Sequence, residues 1–356
     1  MRIERVTARQ IETRRAYGRV SGHIIVEIHT DGGPVGLGEA SDSRAEDLPS
    51  VVSQYNALLK GQDATSIAPI NERLAAHDFA STASNHHLVS AIDLALYDLN
   101  GKALGVPAWR LMGGKFRDRF YFCTPIFGIH VRDDFDTAKG HVQRLVDMGH
   151  HLFRYYISRD VARDSRFLNE VFSRFGDQIT LKQIDFQGWF KNADDALNYA
   201  DALRHHNPMH FEQPSKDLAV SAEFTKRIGL PVSRHISDLA SAQEAIERGA
   251  CTAFNLTCIY RGPTYVRRLF AVGEAAGMKC FIGTDQESTL GIAAQLHLAA
   301  SVPNLDLPID PAGPVLYLDS PAAERIRAEG SYMYLPSGPG LGVTLDPQKL
   351  DALTVC

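Results

Sequence analysis

The chain has 356 residues, of which 44% are hydrophobic and 22% are charged, so it has enough apolar side chains for a large folded core. These values exclude a disordered chain, a collagen-like fibre and a disulfide-scaffold protein. The 37 lysines and arginines are outnumbered by 42 aspartates and glutamates, which gives a formal net charge of −5. Proteins that hold nucleic acid or an anionic membrane usually carry the opposite balance or a basic cluster, so we expect neither partner.

The cysteines and the start of the chain indicate where the protein works. The five cysteines are odd in number, and no two are spaced as Cys-x-x-Cys, which argues against a disulfide framework and a zinc site. No apolar run reaches the length of about 18 residues expected of a membrane span. The opening MRIERVTARQ lacks the apolar stretch of a secretory signal. The sequence therefore predicts a soluble, cytoplasmic protein.

The first part of the chain predicts strands followed by helices. Residues 2–13 alternate loosely, residues 23–30 are rich in β-formers, and a hairpin-type turn at Asp31-Gly32-Gly33 precedes a further strand pattern at 35–39. Apolar residues at helical spacing follow from about residue 46. This pattern ends at Gly105, shortly before a proline.

From about residue 120 the pattern changes to a repeating unit of short apolar runs separated by helical segments. The runs lie at 120–124, 152–157, 179–184, 209–212, 231–235, 253–257, 279–283 and 305–309. Eight strands that alternate with helices indicate a (β/α)₈ barrel, an α/β fold, rather than an open doubly wound sheet. No Gly-x-Gly-x-x-Gly follows the first strand, which argues against a dinucleotide-binding fold.

Five segments carry a resemblance to a known family. They read VGLGEA at 35–40, SAIDLALYDLNGKALGVPAWRLMGG at 90–114, EQP at 212–214, AAGMKCFIGTDQES at 275–288 and LPSGPGLGV at 335–343. In this order they resemble the mandelate racemase and muconate-lactonizing branch of the enolase superfamily. The resemblance implies an α+β capping domain at 1–115, a modified (β/α)₈ TIM barrel at 116–320, and a C-terminal segment at 321–356 that packs back on the cap.

The same resemblance implies a type of reaction. Members of the family bind a small carboxylate at the carboxyl ends of the barrel strands and hold it on a divalent metal, usually Mg²⁺. A base removes the proton α to the carboxylate, and the metal stabilises the enediolate. We therefore expect a small-molecule carboxylate as the partner, a divalent metal as the cofactor, and a homo-oligomer.

The second barrel strand departs from the family pattern. Where the family has Lys-x-Lys, this chain has Arg154 and Tyr156, which point to the same face because strand side chains alternate. A tyrosine titrates near about 10, so Tyr156 could act as a base only if Arg154 or a metal lowers its pKa. Arg154 could equally clamp a substrate carboxylate. Either side chain could instead be structural.

The expected metal ligands are altered as well. Counted without a gap from Trp189, Ile184 falls on the third strand's ligand position, whereas a one-residue deletion puts Asp185 there. Glu212 is retained on the fourth strand, and His235 stands on the fifth, where an acidic ligand is usual. Asp185, Glu212 and His235 together would suit a softer divalent ion than Mg²⁺. If Asp185 and His235 do not bind an ion, the pocket would work without a metal.

Other candidates come from the later strands and the cap. On the sixth strand Thr257 replaces the lysine base of the family and is a candidate substrate-binding residue. Asp285 and Glu287 follow the seventh strand as candidate catalytic groups. In the cap, the loop between the first two strands carries Tyr17 and Arg19. These two side chains could reach over the barrel mouth, bind the substrate and exclude water.

The main hypothesis is therefore an isomerase, epimerase, cycloisomerase, dehydratase or other lyase that abstracts the α-proton of a small carboxylate. Tyr156 and His235 would form its acid–base pair, with Arg154 and Glu212 orienting the substrate. One alternative is metal-independent ring opening or hydrolysis that uses Asp285 or Glu287. The other is a non-catalytic binding homologue, since fold does not fix function.

Overall fold

The structure is a computed structural model that describes residues 1–16, 18–77, 84–128 and 134–355, with the side chains of 84–86 excepted. The described residues contain no helix that is both long and apolar enough to cross a membrane.

The N-terminal part is an antiparallel sheet covered by helices. Its strands β1 (Ile3–Arg14), β2 (Val20–Thr30) and β3 (Gly36–Ala40) pair in chain order. The helices are α1 (Leu48–Leu59), α2 (Ile67–Ala75), α3 (Ser84–Leu104) and the short α4 (Ala108–Leu111). A Cβ atom at Gly36 or Gly38 would overlap the backbone of α3 at Ala95 or Ala91. The glycines of the VGLGEA segment therefore let α3 lie directly on β3.

The central sheet is parallel and has seven strands, and β4 (Arg119–Tyr121) precedes it. In spatial order the strands are β5 (Thr124–Ile126), β6 (Leu152–Tyr156), β7 (Thr180–Asp185), β8 (His210–Glu212), β9 (Val232–His235), β10 (Ala253–Leu256) and β11 (Lys279–Ile282). The intervening helices are α5 (Phe135–Asp147), α6 (Val161–Phe175), α7 (Ala193–Leu203), α8 (Leu218–Ile228), α9 (Leu239–Arg248) and α10 (Gly262–Ala275). This alternation confirms the predicted α/β fold.

Sequence signals explain where these helices begin. Each helix from α5 to α9 follows an Asp or Asn whose side chain accepts a backbone N–H of the first turn. These capping residues are Asp134, Asp160, Asn192, Asp217 and Asp238.

A short irregular segment ending at Asp310 joins the two edges of the parallel sheet. On one side the N–H of Asp310 donates to the carbonyl of Ile282 at 2.9 Å, and on the other the N–H of Cys123 donates to the carbonyl of Ile309 at 3.0 Å. This segment is the eighth apolar run of the sequence. Because Pro308 within it and Pro311 directly after it lack a backbone N–H, it makes isolated bonds and not a strand ladder. The sheet is thereby closed in a TIM-barrel-like way.

Buried apolar side chains form two clusters. One cluster lies between the N-terminal sheet and its helices and includes Ile24 and Leu96. The larger cluster surrounds the barrel strands and includes Phe153, Ile184 and Phe211. The space enclosed by the barrel strands is polar at the strand ends, unlike the two apolar clusters.

The end of the chain returns to earlier elements. It contains α11 (Thr289–Ser301), α12 (Gly313–Leu316), β12 (Ala328–Glu329), β13 (Tyr332–Tyr334) and α13 (Pro347–Leu353). Strand β13 pairs with β4, and Arg9 on β1 forms an ion pair with Asp351 at 2.7 Å. The tail thus contacts both the N-terminal sheet and the start of the barrel.

Glu39 joins the N-terminal sheet to the start of α11. Its carboxylate accepts the backbone N–H groups of Ser288 at 2.7 Å and Gly291 at 2.9 Å, and it lies 3.1 Å from Nδ1 of His23. Burial alone would raise the pKa of Glu39. The hydrogen bond and charge of His23, together with the donors of the helix start, lower that pKa to about 2.

Candidate active site

Polar side chains gather at the carboxyl ends of the barrel strands. Across neighbouring strands, Tyr156 is in register with Asp185, Asp185 with Glu212, and His235 with Asn255. Because these strands are parallel, the residues reach the same end of the barrel, which is where (β/α)₈ enzymes place their active sites. The structure therefore brings together four of the residues singled out in the sequence.

The backbone is unusual at the same end of the barrel. Gln187 follows β7, Gln213 follows β8 and Gln286 follows β11, and their φ angles are 54°, 43° and 63°. Residues other than glycine rarely occupy this left-handed region, and such residues cluster at active sites and ligand clamps. The strained loops thus lie around the polar strand ends.

Glu212 and His235 form a hydrogen-bonded pair. Nε2 of His235 lies 2.9 Å from Oε1 of Glu212, and Asn255 donates to the same oxygen at 2.8 Å. Burial raises the pKa of Glu212, but the bond and charge of His235 lower it below its usual value. For His235, burial lowers the pKa, but Glu212 raises it above its usual value. The other ring nitrogen, Nδ1, has no hydrogen-bond partner among the described residues.

Asp185, and not Ile184, belongs to this polar interior. Ile184 is fully buried in the apolar cluster outside the ring, whereas Asp185 stands in register with Glu212. The backbone N–H of Gln187 donates to Asp185 at 2.7 Å. Burial and the negative charge of Glu212 raise the pKa of Asp185 well above its usual value.

Arg154 and Tyr156 lie beside one another inside the barrel. The guanidinium carbon of Arg154 is 5.0 Å from the centre of the Tyr156 ring, and its Nη1 is 3.2 Å from a carboxylate oxygen of Asp310. Burial raises the pKa of Tyr156, Arg154 lowers it, and nearby carboxylates raise it again, which leaves the pKa well above its usual value. Arg154 thus acts on the phenol in the direction the sequence suggested, but burial has the larger effect on its pKa. The phenol keeps its proton and can donate it.

Glu287 is buried and surrounded by donors. Gln295 donates to it at 2.7 Å, the backbone N–H of Asp285 donates at 2.8 Å, and the hydroxyl of Thr284 makes a short contact. Thr257 lies 3.4 Å from the same carboxylate and accepts a hydrogen bond from Gln295 at 2.9 Å. This network holds Thr257 and Glu287 in fixed positions at the ends of β10 and β11.

Asp285 lies where the cap hairpin approaches the barrel. Burial, followed by the charges of Glu287 and Asp42, raises its pKa to about 7, while His235 and Arg15 act in the opposite direction. Arg15 is paired with Asp42 at 3.3 Å. Of the two loop residues expected to bind substrate, Arg19 is exposed to solvent. Tyr17 lies outside the described residues.

Two family profiles match the chain. One, described as "Enolase C-terminal domain-like", matches residues 137–349. The other, described as "Mandelate racemase / muconate lactonizing enzyme, N-terminal domain", matches residues 5–113. The chain belongs to the mandelate racemase/muconate lactonizing enzyme branch of the enolase superfamily. The resemblance noted in the sequence is thus confirmed.

Relatives with known activities are isomerases. Chloromuconate cycloisomerase of Pseudomonas putida is 28% identical over 347 residues, which cover 93% of this chain and 91% of that protein. N-succinyl-L-Arg/Lys racemase of Bacillus cereus is 25% identical over 354 residues, which cover 96% and 93%. The chain is therefore an enzyme of the mandelate racemase/muconate lactonizing type, and general isomerase chemistry is supported for it.

Solved structures show the same fold. Muconate lactonizing enzyme from Pseudomonas putida superposes with a TM-score of 0.89 at 22% identity, over 100% of both chains. Muconate lactonizing enzyme from Klebsiella pneumoniae gives a TM-score of 0.87 at 24% identity, also over 100% of both chains.

The side chains expected to bind the family's metal do not fit an ion in this arrangement. Both oxygens of Glu212 already receive N–H donors, from His235 and Asn255 on one side and from Gln183 on the other. One oxygen of Asp185 accepts the backbone N–H of Gln187. Within the described ranges, no three His, Cys, Asp or Glu side chains are placed to hold a metal.

The sequence did not reveal a second group of interior residues beneath the site. Asp310 is fully buried and pairs with both Arg154 and Lys182, and Gln183 and Cys123 contact it at 3.3 Å and 3.2 Å. The available signal was an acidic residue directly after the eighth apolar run. Lys182 had a weaker signal, a charged side chain inside an apolar strand pattern.

A well-formed cavity of about 230 Å³ lies elsewhere, between α12 and the C-terminal tail. Its lining includes His150, Tyr317 and Arg325 but none of the candidate site residues. This cavity is therefore separate from the candidate site at the strand ends.

Proposed function

We propose that this enzyme isomerises a small carboxylate by moving a proton at the carbon next to the carboxylate group. The observation that carries the proposal is the pairing of the partly exposed His235 with the buried Glu212; the other ring nitrogen, Nδ1, has no hydrogen-bond partner among the described residues. A histidine oriented by a carboxylate is a typical general base. The relatives, which include cycloisomerases and a racemase, support a reaction of this kind.

His235 would remove the proton. In the neutral ring Nε2–H donates to Glu212, so the lone pair lies on Nδ1. Nδ1 takes the α-proton, and the electron pair of the broken C–H bond moves towards the carboxylate to form an enolate. Glu212, at 2.9 Å from Nε2, stabilises the positive charge that develops on the ring.

Tyr156 would supply a proton to the substrate. Its phenol stays protonated at neutral pH, because burial and neighbouring carboxylates raise its pKa despite the opposing charge of Arg154. Strands β6 and β9 are separated by two strands, so Tyr156 and His235 approach a substrate from different directions. Proton removal by one residue and proton return by the other produce racemisation, double-bond movement or ring closure, depending on the substrate.

The remaining candidates would assist the reaction. We assign positioning roles to Thr257 and Glu287, whose hydrogen bonds hold each other in place. Arg19 and Tyr17, from the cap loop, would cover an anionic substrate. Asp285, whose pKa is raised to about 7, would be a second acid–base group, and it favours metal-independent ring opening or hydrolysis as the alternative reaction.

Exchange of the α-proton with solvent tests the proposal. The protein is incubated in D₂O with carboxylates that include N-succinyl-arginine, N-succinyl-lysine and muconate lactones, and loss of the α-proton signal is followed by NMR. We expect exchange with at least one compound and about a 10²–10⁴-fold slower exchange in His235→Asn. The exposed His205→Asn serves as the control. Tyr156→Phe should retain exchange but lose product formation. Unchanged exchange in His235→Asn would refute the assignment.

A further inference from the structure

The guanidinium of Arg154 has an uneven set of partners. Its side chain is only 3% exposed, and Nη1 is paired with Asp310 at 3.2 Å. Nε and Nη2 are buried and have no hydrogen-bond partner among the described residues. Buried donors on a charged group normally have partners, because removing them from water without a replacement is costly. The two open N–H groups therefore call for an acceptor.

The two open groups match one kind of acceptor. Nε–H and Nη2–H lie on the same edge of the planar guanidinium and point in parallel, at the spacing of the two oxygens of a carboxylate. The opposite edge is fixed by Asp310, and the plane lies over Tyr156. The side chain is thus already oriented, and binding would not require it to become ordered.

The protein's own carboxylates are occupied elsewhere. The carboxylate of Asp310 pairs with Lys182 as well as with Arg154, and it also accepts hydrogen bonds from Cys123 and Gln183. The oxygens of Glu212 accept hydrogen bonds from Gln183 on β7, His235 on β9 and Asn255 on β10. Asp185 accepts from the backbone of the loop after β7. Arg154 and Lys182 thus share one carboxylate at hydrogen-bond distance.

We propose that the open edge of Arg154 is an anion site that binds the carboxylate of the substrate in place of a divalent metal. Substrate identity rests on the proposed function, but binding of a carboxylate at this edge does not. Two parallel charged N–H donors would hold both oxygens and offset the negative charge that grows on them as the α-proton leaves. Arginine replaces the lysine of the family pattern at this position, and its two parallel donors are then what binds the carboxylate.

Formate is a suitable probe because it is the smallest carboxylate. Metal-stripped protein in buffer with EDTA is titrated with formate against chloride at equal ionic strength, and binding is followed by calorimetry and by the thermal midpoint. We expect formate to bind with the chelator present. Arg154→Gln should bind it at least about tenfold more weakly, because both donors of the fork are lost.

The variants are chosen to fold. In Arg154→Gln the remaining Lys182 and Asp310 form a balanced pair, so no buried carboxylate is left without a cation. Arg154→Lys keeps the charge but lacks the parallel donors, and it should also bind formate more weakly. Arg234→Gln is the matched control: this half-buried arginine on β9 donates to Ser215, Lys216 and Ser221, away from the site.

The outcomes separate this inference from the proposed function. Formate binding that needs added Mg²⁺, or that is equally strong in both Arg154 variants, would overturn the anion site. Chelator-resistant binding that depends on Arg154, without any α-proton exchange, would support the site and refute only the proposed reaction.

Discussion

Glu39→Gln should weaken the protein although Glu39 lies outside the proposed reaction. The buried carboxylate accepts backbone N–H groups at the start of α11 and pairs with His23. A carboxyl whose pKa falls from 4.5 to about 2 on folding adds about 3 kcal/mol to the free energy of unfolding at neutral pH. Glutamine has nearly the same shape but cannot carry the charge, so we expect a loss of about this size.

The pH dependence has a definite sign. Because the folded pKa lies below the unfolded value, the contribution is complete above pH 4.5 and is lost as the pH falls towards 2. Urea unfolding followed by circular dichroism at pH 7 and pH 4 measures the difference between wild type and variant, which should be about 1 kcal/mol smaller at pH 4. The exposed Glu4→Gln on the same sheet is the control. Equal stability of Glu39→Gln and wild type at pH 7 would refute the reasoning.

Two further variants test the strand ends. Glu212→Gln removes the charge that raises the pKa of His235. The low-pH limb of the pH profile of α-proton exchange should therefore move to lower pH. An unmoved limb would show that His235 is not the base. Gln295→Leu removes one of the hydrogen-bond donors of the buried Glu287 and should lower the free energy of unfolding by about 1–3 kcal/mol. The exposed Gln243→Leu, which should change stability little, is its control in the same urea assay.

Sequence patterns predicted the order of strands and helices, because apolar periodicity reports which face of an element is buried. They did not decide between Ile184 and Asp185, and the structure shows why. The register between β6 and β7 shifts at Arg154, where β7 has an extra residue at Lys182. Simple alternation from Lys182 would turn Ile184 inwards, but the bulge reverses the phase and turns Asp185 inwards. A bulge of this kind leaves no clear signal in one sequence.

The charges of the site were also difficult to predict from the sequence. Arg154 and Tyr156 were found from the resemblance to the family's second strand, and alternation placed them on one face. The effect of one on the other depends on burial, which raises the pKa of the phenol more than the guanidinium lowers it. Asp310 orients Arg154 from a segment about 150 residues away along the chain. Local patterns do not show which distant charges share an interior, so the partner of Arg154 could be found only from the structure.

The N-terminal sheet and the barrel are joined at the point where the candidate site is built. Glu39 binds the N–H of Ser288, and the preceding residue, Glu287, anchors the network that fixes Thr257. Asp285 lies on the same short loop and is influenced by Arg15 of the cap hairpin. A change that loosens Glu39 should therefore move the loop that carries these acidic groups. For this reason we expect Glu39→Gln to slow turnover under conditions where the variant is still fully folded, which links the stability of the domain contact to the geometry of the site.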